Sequence, residues 1–465
     1  MKKNNKNSIF KVVLVVVLLA AILTWILPST SFNGTISNNG RIQIGFADLF
    51  NYLTAIVSYF GYIPLYILAV GGFYGVLYQT NGYRNLLDKI VKTYKGNEWI
   101  FLTIVMIVFA VITSVTGLSI GLFVLFPLVI TAILLMGYSK ITALLTTVGS
   151  ICVGLMGTTY SVSSIEVLNS YLELSPSSEL LTKLIILGVG LILLIVNTLL
   201  YAKKHKIDGP RKGFLYPETT NPRAKSWPIV LVLDVVLVLM ILSHISWANA
   251  FEITFFDDFL KSMNKFTIGE FPIFAKLFGK LTSFGNWQMT DLINVVLVST
   301  VFVGLLGKVK FNDMLNGFGA GAKRALRPAF VTTFVYVLIF ISAYHPYILT
   351  ITKPILSLTE GFNVVTMSAA AFISHFFNVE LFYSASSIIA YIVATFKDTT
   401  IYGLIAVIWQ ATYGFAMLFV PTSAVLIMGL SYLNVSYWKW LKAIWKLVLE
   451  LLVVLLAIFL IIVLI

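Results

Sequence analysis

Charge is scarce in this chain. Asp, Glu, Lys and Arg make up only 11% of its 465 residues, against about 25% in soluble globular proteins. Cysteine is scarcer still. The one cysteine, Cys152, excludes an internal disulfide and any CxxC metal or redox motif. It sits in an apolar stretch, where a small core residue is its ordinary role. No Walker A sequence, nucleotide-binding domain or long soluble segment is present, so ATP-driven transport would need a separate subunit. HExxH and similar zinc spacings are absent, which disfavours a membrane metalloprotease. No nucleophile–base constellation argues for an enzyme of another kind. The first apolar run lacks an A-x-A cleavage site, so it reads as a retained helix rather than a signal peptide.

What the chain has is hydrophobicity. Apolar residues make up 59% of it. Val12 to Pro28, Leu181 to Tyr201 and Leu447 to Ile465 approach or reach the roughly 20 residues that span a bilayer. The chain is a polytopic membrane protein with the lipid bilayer as its main partner. No long polar linker divides it, so a single membrane domain over 1–465 is expected.

The net charge of +13 does not imply nucleic acid. The positive residues cluster in short loops, as cytoplasmic loops do. Lys2, Lys3, Lys6 and Lys11 put the N-terminus in the cytoplasm. Helix 12–28 leads out and helix 52–79 returns to Arg84, Lys89, Lys92 and Lys95. Residues 99–137 are too short for two spans with a turn, and read as a re-entrant hairpin with its tip near Gly117. A helix over 141–164 exits into an outer loop, 161–178, without Lys or Arg. Helix 181–201 returns to Lys203, Lys204, Lys206, Arg211, Lys212, Arg223 and Lys225. Helix 227–247 goes out to a Phe-rich amphipathic segment, 248–288, of interfacial character. Helix 289–307 comes in to Lys308, Lys310, Lys323, Arg324 and Arg327, and helix 329–347 goes out. A second hairpin, 364–396, has its polar tip from Ser374 and His375 to Glu380. A helix over 401–434 comes in, and the last exits, which puts the C-terminus outside.

The resulting expectation is an all-α protein of about nine transmembrane helices and two re-entrant hairpins. The order span, span, hairpin, interrupted helix, span occurs twice with opposite orientation. That is an inverted repeat, 12–201 and 289–465, joined by 202–288.

The interruptions matter most. One apolar helix runs into Gly157-Thr158-Thr159-Tyr160-Ser161 and another into Pro421-Thr422-Ser423. Opened backbone in a bilayer is costly unless it lines a cavity or meets a ligand. Interrupted helices at matching places in two halves point to a secondary transporter's binding site. Candidate substrate-binding residues are Ser114, Thr116 and Gly117 at the first tip, Gly157, Thr158, Thr159 and Ser161 at the first break, Asn378 at the second tip, and Pro421, Thr422 and Ser423 at the second break. For any one hydroxyl, a bond back to its own helix is the competing role. Candidate ion-coupling residues are Glu380, His375 beside it as a relay partner, and Asp234 within an apolar helix. The competing roles are a water-facing tip for Glu380 and structural partners for the other two. No cofactor is expected beyond Na⁺ or H⁺ as a coupling ion. No Lys or Arg falls at midplane, so a substrate carboxylate would be held by hydroxyls and backbone N–H groups. With Glu380, this favours a substrate that also carries a positive charge.

With those segments located, the chain resembles the YfcC-like family of anaerobic dicarboxylate carriers and arginine/ornithine exchangers, related to the aminobenzoyl-glutamate (AbgT) transporters. The resemblance is clearest in Pro421-Thr422-Ser423-Ala424-Val425-Leu426-Ile427-Met428-Gly429-Leu430 and Val435-Ser436-Tyr437-Trp438-Lys439-Trp440. It extends to Thr24-Trp25-Ile26-Leu27-Pro28, Gly71-Gly72-Phe73-Tyr74-Gly75-Val76-Leu77 and Phe126-Pro127-Leu128. The family's acidic pair in the first hairpin is replaced here by Ser119-Ile120-Gly121-Leu122. Its Asn-Pro in the first break is replaced by Tyr160-Ser161-Val162. The resemblance implies a secondary transporter in a bacterial plasma membrane. It would move a small carboxylate-containing metabolite, an amino acid or dicarboxylate, by alternating access. Thr158, Thr422 and Ser423 are the binding positions it carries over, and a homodimer is compatible with it. The competing class is a non-transporting receptor or scaffold on a diverged transporter fold.

The charge pattern makes a direct prediction about sidedness. Alkaline phosphatase fused after Ile465 should be active, and fused after Lys206 inactive. The reverse pattern would invert the topology.

Overall fold

Two glycine-rich helices meet at the centre of the fold. Tyr62–Gln79 and Phe311–Phe334 pack along their length, with Gly71 and Gly75 facing Gly317, Gly321 and Ala325 and Gly72 facing the Phe318 ring. A Cβ added at Gly75 would lie 2.0 Å from the Gly317 carbonyl oxygen, and one at Gly321 would lie 2.1 Å from that of Gly71. Only glycine permits backbones this close. In a bilayer, where apolar burial does not drive helices together, such close packing is a main source of association.

The structure, a computed structural model, describes residues 8–175, 177–211 and 224–464. Lys2, Lys3, Lys6, Lys212 and Arg223 lie outside the described residues. Among the described residues the fold is almost wholly helical, with two short two-stranded hairpins at Thr30–Asn38 and Thr267–Pro272. Among the described residues, nine helices are long and apolar enough to cross a membrane: Ser8–Ile26, Tyr62–Gln79, Glu98–Thr116, Leu180–His205, Trp227–His244, Met289–Leu306, Phe311–Tyr344, Thr399–Met417 and Tyr437–Leu464.

Several boundaries differ from the sequence expectation. The helix expected over 52–79 is two, Phe46–Phe60 and Tyr62–Gln79, meeting at Gly61. The helix expected to begin at 329 begins at Phe311, so Lys323, Arg324 and Arg327 belong to it rather than to a loop. Lys and Arg are good helix formers, and the helix runs on through Pro328 into the apolar part. Arg324 lies over the Tyr78 ring at 5.4 Å, and Arg327 donates to the Asn434 side chain beyond the end of helix Ala424–Leu433. The outer loop expected over 161–178 contains a helix, Val162–Leu172.

The first helix–turn–helix has arms Glu98–Thr116 and Ile120–Leu135, turning at Gly117 with φ +70°. Its first arm is long enough to cross by itself. Lys140–Met156 is shorter and carries a π turn at Leu145–Gly149. The second helix–turn–helix runs Val364–Phe377, then Leu381–Ser386 and Ile389–Thr395. Ser374 and His375 are still helical, so its turn is confined to residues 378–380.

Capping residues explain several helix starts. The Ser139 hydroxyl accepts from Thr142 N at 3.1 Å, and the Asn363 side chain from Val365 N at 2.9 Å. Lys203, Lys204 and His205 fall in the last turn of Leu180–His205, where positive charge complements the helix dipole.

Gly75→Leu or Gly321→Leu should abolish monodisperse protein in detergent, because overpacking against backbone has no cheap relief. Gly319→Leu, where an added side chain meets nothing within 4 Å, should leave the thermal midpoint unchanged. Equal behaviour of the three variants would refute the central role of this crossing.

Candidate substrate site

The first break is held by the turn of the first hairpin. Ser114 donates its hydroxyl to the Gly157 carbonyl at 2.6 Å. Thr159 returns its backbone N–H to the Ser114 carbonyl at 2.8 Å, with its hydroxyl at 3.2 Å from the same oxygen. The Gln410 amide, from the helix Tyr402–Met417, donates to the Thr158 carbonyl at 2.6 Å. The opened backbone is therefore satisfied by one side chain from each half of the chain. The two interrupted helices also touch directly: a Cβ on Gly414 would lie 2.2 Å from Met156 N.

The Thr158 hydroxyl bonds back to the Leu155 carbonyl at 3.0 Å, and that of Thr116 to the Ile112 carbonyl at 2.6 Å. Both follow the ordinary pattern of hydroxyls in membrane helices. Ser161 is buried and pairs through its backbone with Ile245 at the end of helix Trp227–His244, while the Tyr160 ring meets Phe251 at 4.8 Å.

The second break, 418–423, is built differently. Pro421 is buried, Ser423 caps the next helix by accepting from Leu426 N at 3.3 Å, and Thr422 is buried with a hydroxyl that finds no partner among the described residues. A buried hydroxyl without a partner costs stability, so a use for it other than packing is expected.

A cavity of about 390 Å³ lies between the two turns. Thr116 to Gly121 line one side and Val379 to Phe382 the other. Tyr62, Tyr336 and Tyr413 add hydroxyls. Leu155, Met417, Ala424 and Val425 contribute from beside the breaks, and His244 with Trp287 to Thr290 complete the wall. The lining holds one carboxylate, Glu380, and among the described residues no Lys or Arg. Tyr336 donates its hydroxyl to Glu380 at 2.7 Å. Tyr66 donates to the Gly121 carbonyl and Tyr74 to that of Val124 at 2.7 Å, which fixes the return arm of the first turn.

The structure brings some of the expected residues to this cavity and not others. Thr116, Gly117 and Glu380 line it. Ser114, Gly157, Thr158 and Thr159 stand behind the first turn, and Pro421, Thr422 and Ser423 behind the Ala424–Val425 wall. Asn378 is buried beneath the second turn, donating to the Ser374 carbonyl at 3.0 Å and accepting from Ser342 at 3.2 Å. His375 is buried, with Nε2 at 2.9 Å from the Trp409 carbonyl, and among the described residues no hydrogen bond joins it to Glu380. Asp234 sits exposed on the outer face of helix Trp227–His244, away from the cavity lining. His345, beyond the cavity, is bound by the Tyr52 hydroxyl at 2.8 Å and the Ile42 carbonyl at 2.6 Å.

Sequence reasoning missed Gln410, His244 and the three tyrosines. Gln410 had a signal, as the one amide in an apolar run. The tyrosines had none, since nothing in their spacing separates them from core aromatics.

Two substitutions test this architecture. Ser114→Ala should cost about 1–3 kcal/mol by leaving the Gly157 carbonyl unpaired, read as a lowered thermal midpoint. Thr422→Val should leave the midpoint unchanged or raised while reducing uptake in proteoliposomes about tenfold, a loss of about 1.4 kcal/mol. Full uptake in Thr422→Val would remove Thr422 from the site.

No curated protein matches the chain. Two solved transporters are similar over nearly its whole length. One is the YdaH transporter of Alcanivorax borkumensis, at 14% identity over 97% of this chain and 98% of that one, with a TM-score of 0.41. The other is MtrF of Neisseria gonorrhoeae, described as one of a class of antimetabolite efflux pumps, at 12% identity over 97% and 94%, with a TM-score of 0.41. The profile of the C4-dicarboxylate anaerobic carriers, DcuC, matches residues 7–465. The chain belongs to this DcuC carrier family and is a secondary transporter, not an enzyme.

Proposed function

We propose that this transporter carries a small carboxylate-containing metabolite, a C4 dicarboxylate or an amino acid, through the cavity between the two turns. The carrying observation is the cavity itself, walled by both turns and both interrupted helices, with Glu380 as its one carboxylate. Transport would proceed by alternating access in a bacterial plasma membrane, coupled to an ion or to exchange. The two helix–turn–helix units would re-enter rather than cross. Residues 12–201 and 289–465 would form an inverted repeat, a reading supported by their matching order of elements. The contact of Tyr62–Gln79 with Phe311–Phe334 would then lie on its pseudo-twofold axis. Thr116, Gly117 and backbone N–H groups of the turns would face the substrate, with Ser114, Thr158, Ser423 and Asn378 holding the nearby backbone in place and the Thr422 hydroxyl, unpartnered among the described residues, free to serve the site.

Glu380 decides the finer substrate class. A carboxylate beside a dicarboxylate is repulsive unless it holds a proton. Beside an ammonium it is a favourable partner. An amino acid substrate, as in the arginine/ornithine exchangers, leaves Glu380 charged and paired. The absence of Lys and Arg from the described lining supports this reading.

Glu380→Gln separates the two. If the substrate is an amino acid, the variant should lose amino acid uptake by about tenfold or more, a partner loss of at least about 1.4 kcal/mol. If Glu380 instead carries a coupling proton, the variant should retain dicarboxylate exchange and lose only proton-driven net uptake. Wild-type activity with both substrate classes in Glu380→Gln would refute both roles.

A further inference from the structure

We propose that His244 is the group in the cavity that receives a substrate carboxylate, and that it binds a proton together with the substrate. The inference rests on the transport reading above, and on the geometry of one side chain that the reading leaves unused.

His244 is the last residue of helix Trp227–His244 and part of the cavity wall. Its Nδ1 is turned back onto its own helix, 3.1 Å from the Met240 carbonyl and 2.8 Å from the Ser243 hydroxyl. The Ser243 hydroxyl itself donates to the Met240 carbonyl at 3.1 Å, so it accepts from Nδ1–H. That assigns the hydrogen to Nδ1 and leaves Nε2 with a bare lone pair in the neutral ring. Nε2 has no partner among the described residues, yet it is not among their buried unpartnered atoms. It is therefore not sealed from solvent, on a residue that lines the cavity. Protonation converts it into an N–H donor carrying positive charge, the ordinary partner of a carboxylate.

The surroundings favour co-binding over permanent charge. Asp291, in the first turn of the neighbouring helix Met289–Leu306, has its carboxylate already accepting from Gln288 N at 2.9 Å. The same cavity lining holds Glu380, Tyr62, Tyr336 and Tyr413. Helix Asn81–Thr93 meets the other end of His244's helix, where Asn85 donates to the Ala224 carbonyl at 2.7 Å, so Arg84, Asp88, Lys89 and Lys92 are remote. Glu98 lies at the far end of helix Glu98–Thr116, whose near end reaches the cavity. An anionic substrate thus meets no fixed cation in the described lining. A proton taken from the aqueous phase onto Nε2 supplies the charge when the carboxylate arrives and leaves with it. By linkage, proton and substrate then each strengthen the other's binding.

The position also suits coupling to movement. Ile245, the next residue, is bridged to Ser161 at the end of the first break. A shift of that break moves the backbone beside His244 directly.

The test uses purified full-length protein in proteoliposomes, with labelled succinate and labelled arginine as separate probes and internal pH followed by a trapped dye. Wild type should show a KM that rises with pH and proton movement with substrate. His244→Gln should raise KM about tenfold and flatten its pH dependence. His244→Arg should keep KM low and independent of pH while losing proton movement. A thermal midpoint unchanged in either variant shows that the fold is intact. If His244→Gln transports with the wild-type KM and pH slope, the assignment is wrong. If wild type moves neither probe, the transport reading beneath it fails instead.

Discussion

An opened backbone inside a bilayer must find hydrogen-bond partners within the protein, and this constraint organises the rest of the molecule. Water is not there to satisfy the carbonyls of Gly157 and Thr158, so Ser114 and Gln410 do so. Those two bonds tie the first break to the first turn and to the second interrupted helix at once. The cavity lies directly in front of this knot. Its shape is a consequence of where the chain is permitted to stop being helical.

The second requirement is a rigid support for the knot. The glycine contact between Tyr62–Gln79 and Phe311–Phe334 brings the two halves of the chain to backbone contact. Tyr62 and Tyr336 extend from this pair, beyond the glycines, into the cavity wall. Tyr336 places its hydroxyl on Glu380. Tyr62 opens the first of these helices and Tyr336 lies just past the end of the second, so the crossing and two polar groups of the cavity are close in the chain.

Much of this was legible in the sequence. Polar interruptions in apolar runs located both breaks, because such runs have few reasons to contain Gly-Thr-Thr or Pro-Thr-Ser. Gly117 was legible as a turn for a similar reason. Glu380 stood out as an acid among apolar residues. Charge counting erred at Lys323, Arg324 and Arg327, because basic residues mark a membrane side without marking where a helix begins. The distinction between lining a cavity and supporting its wall was not legible at all. Thr422 and Ser423 carry the most recognisable motif yet stand behind Ala424 and Val425, while His244 has no motif and faces the cavity. That difference depends on tertiary packing between helices remote in sequence.

The central claim is that substrate occupies the space between the two turns. The most direct measurement is alkylation of a cysteine placed there, Leu381→Cys in a Cys152→Ser background, with and without transported substrate. The account predicts that substrate slows the reaction of this cysteine severalfold. A control cysteine introduced by Gly319→Cys, on the outer face of its helix, should react at the same rate in both conditions. Equal alkylation rates for the Leu381→Cys variant with and without saturating substrate would place the binding site elsewhere.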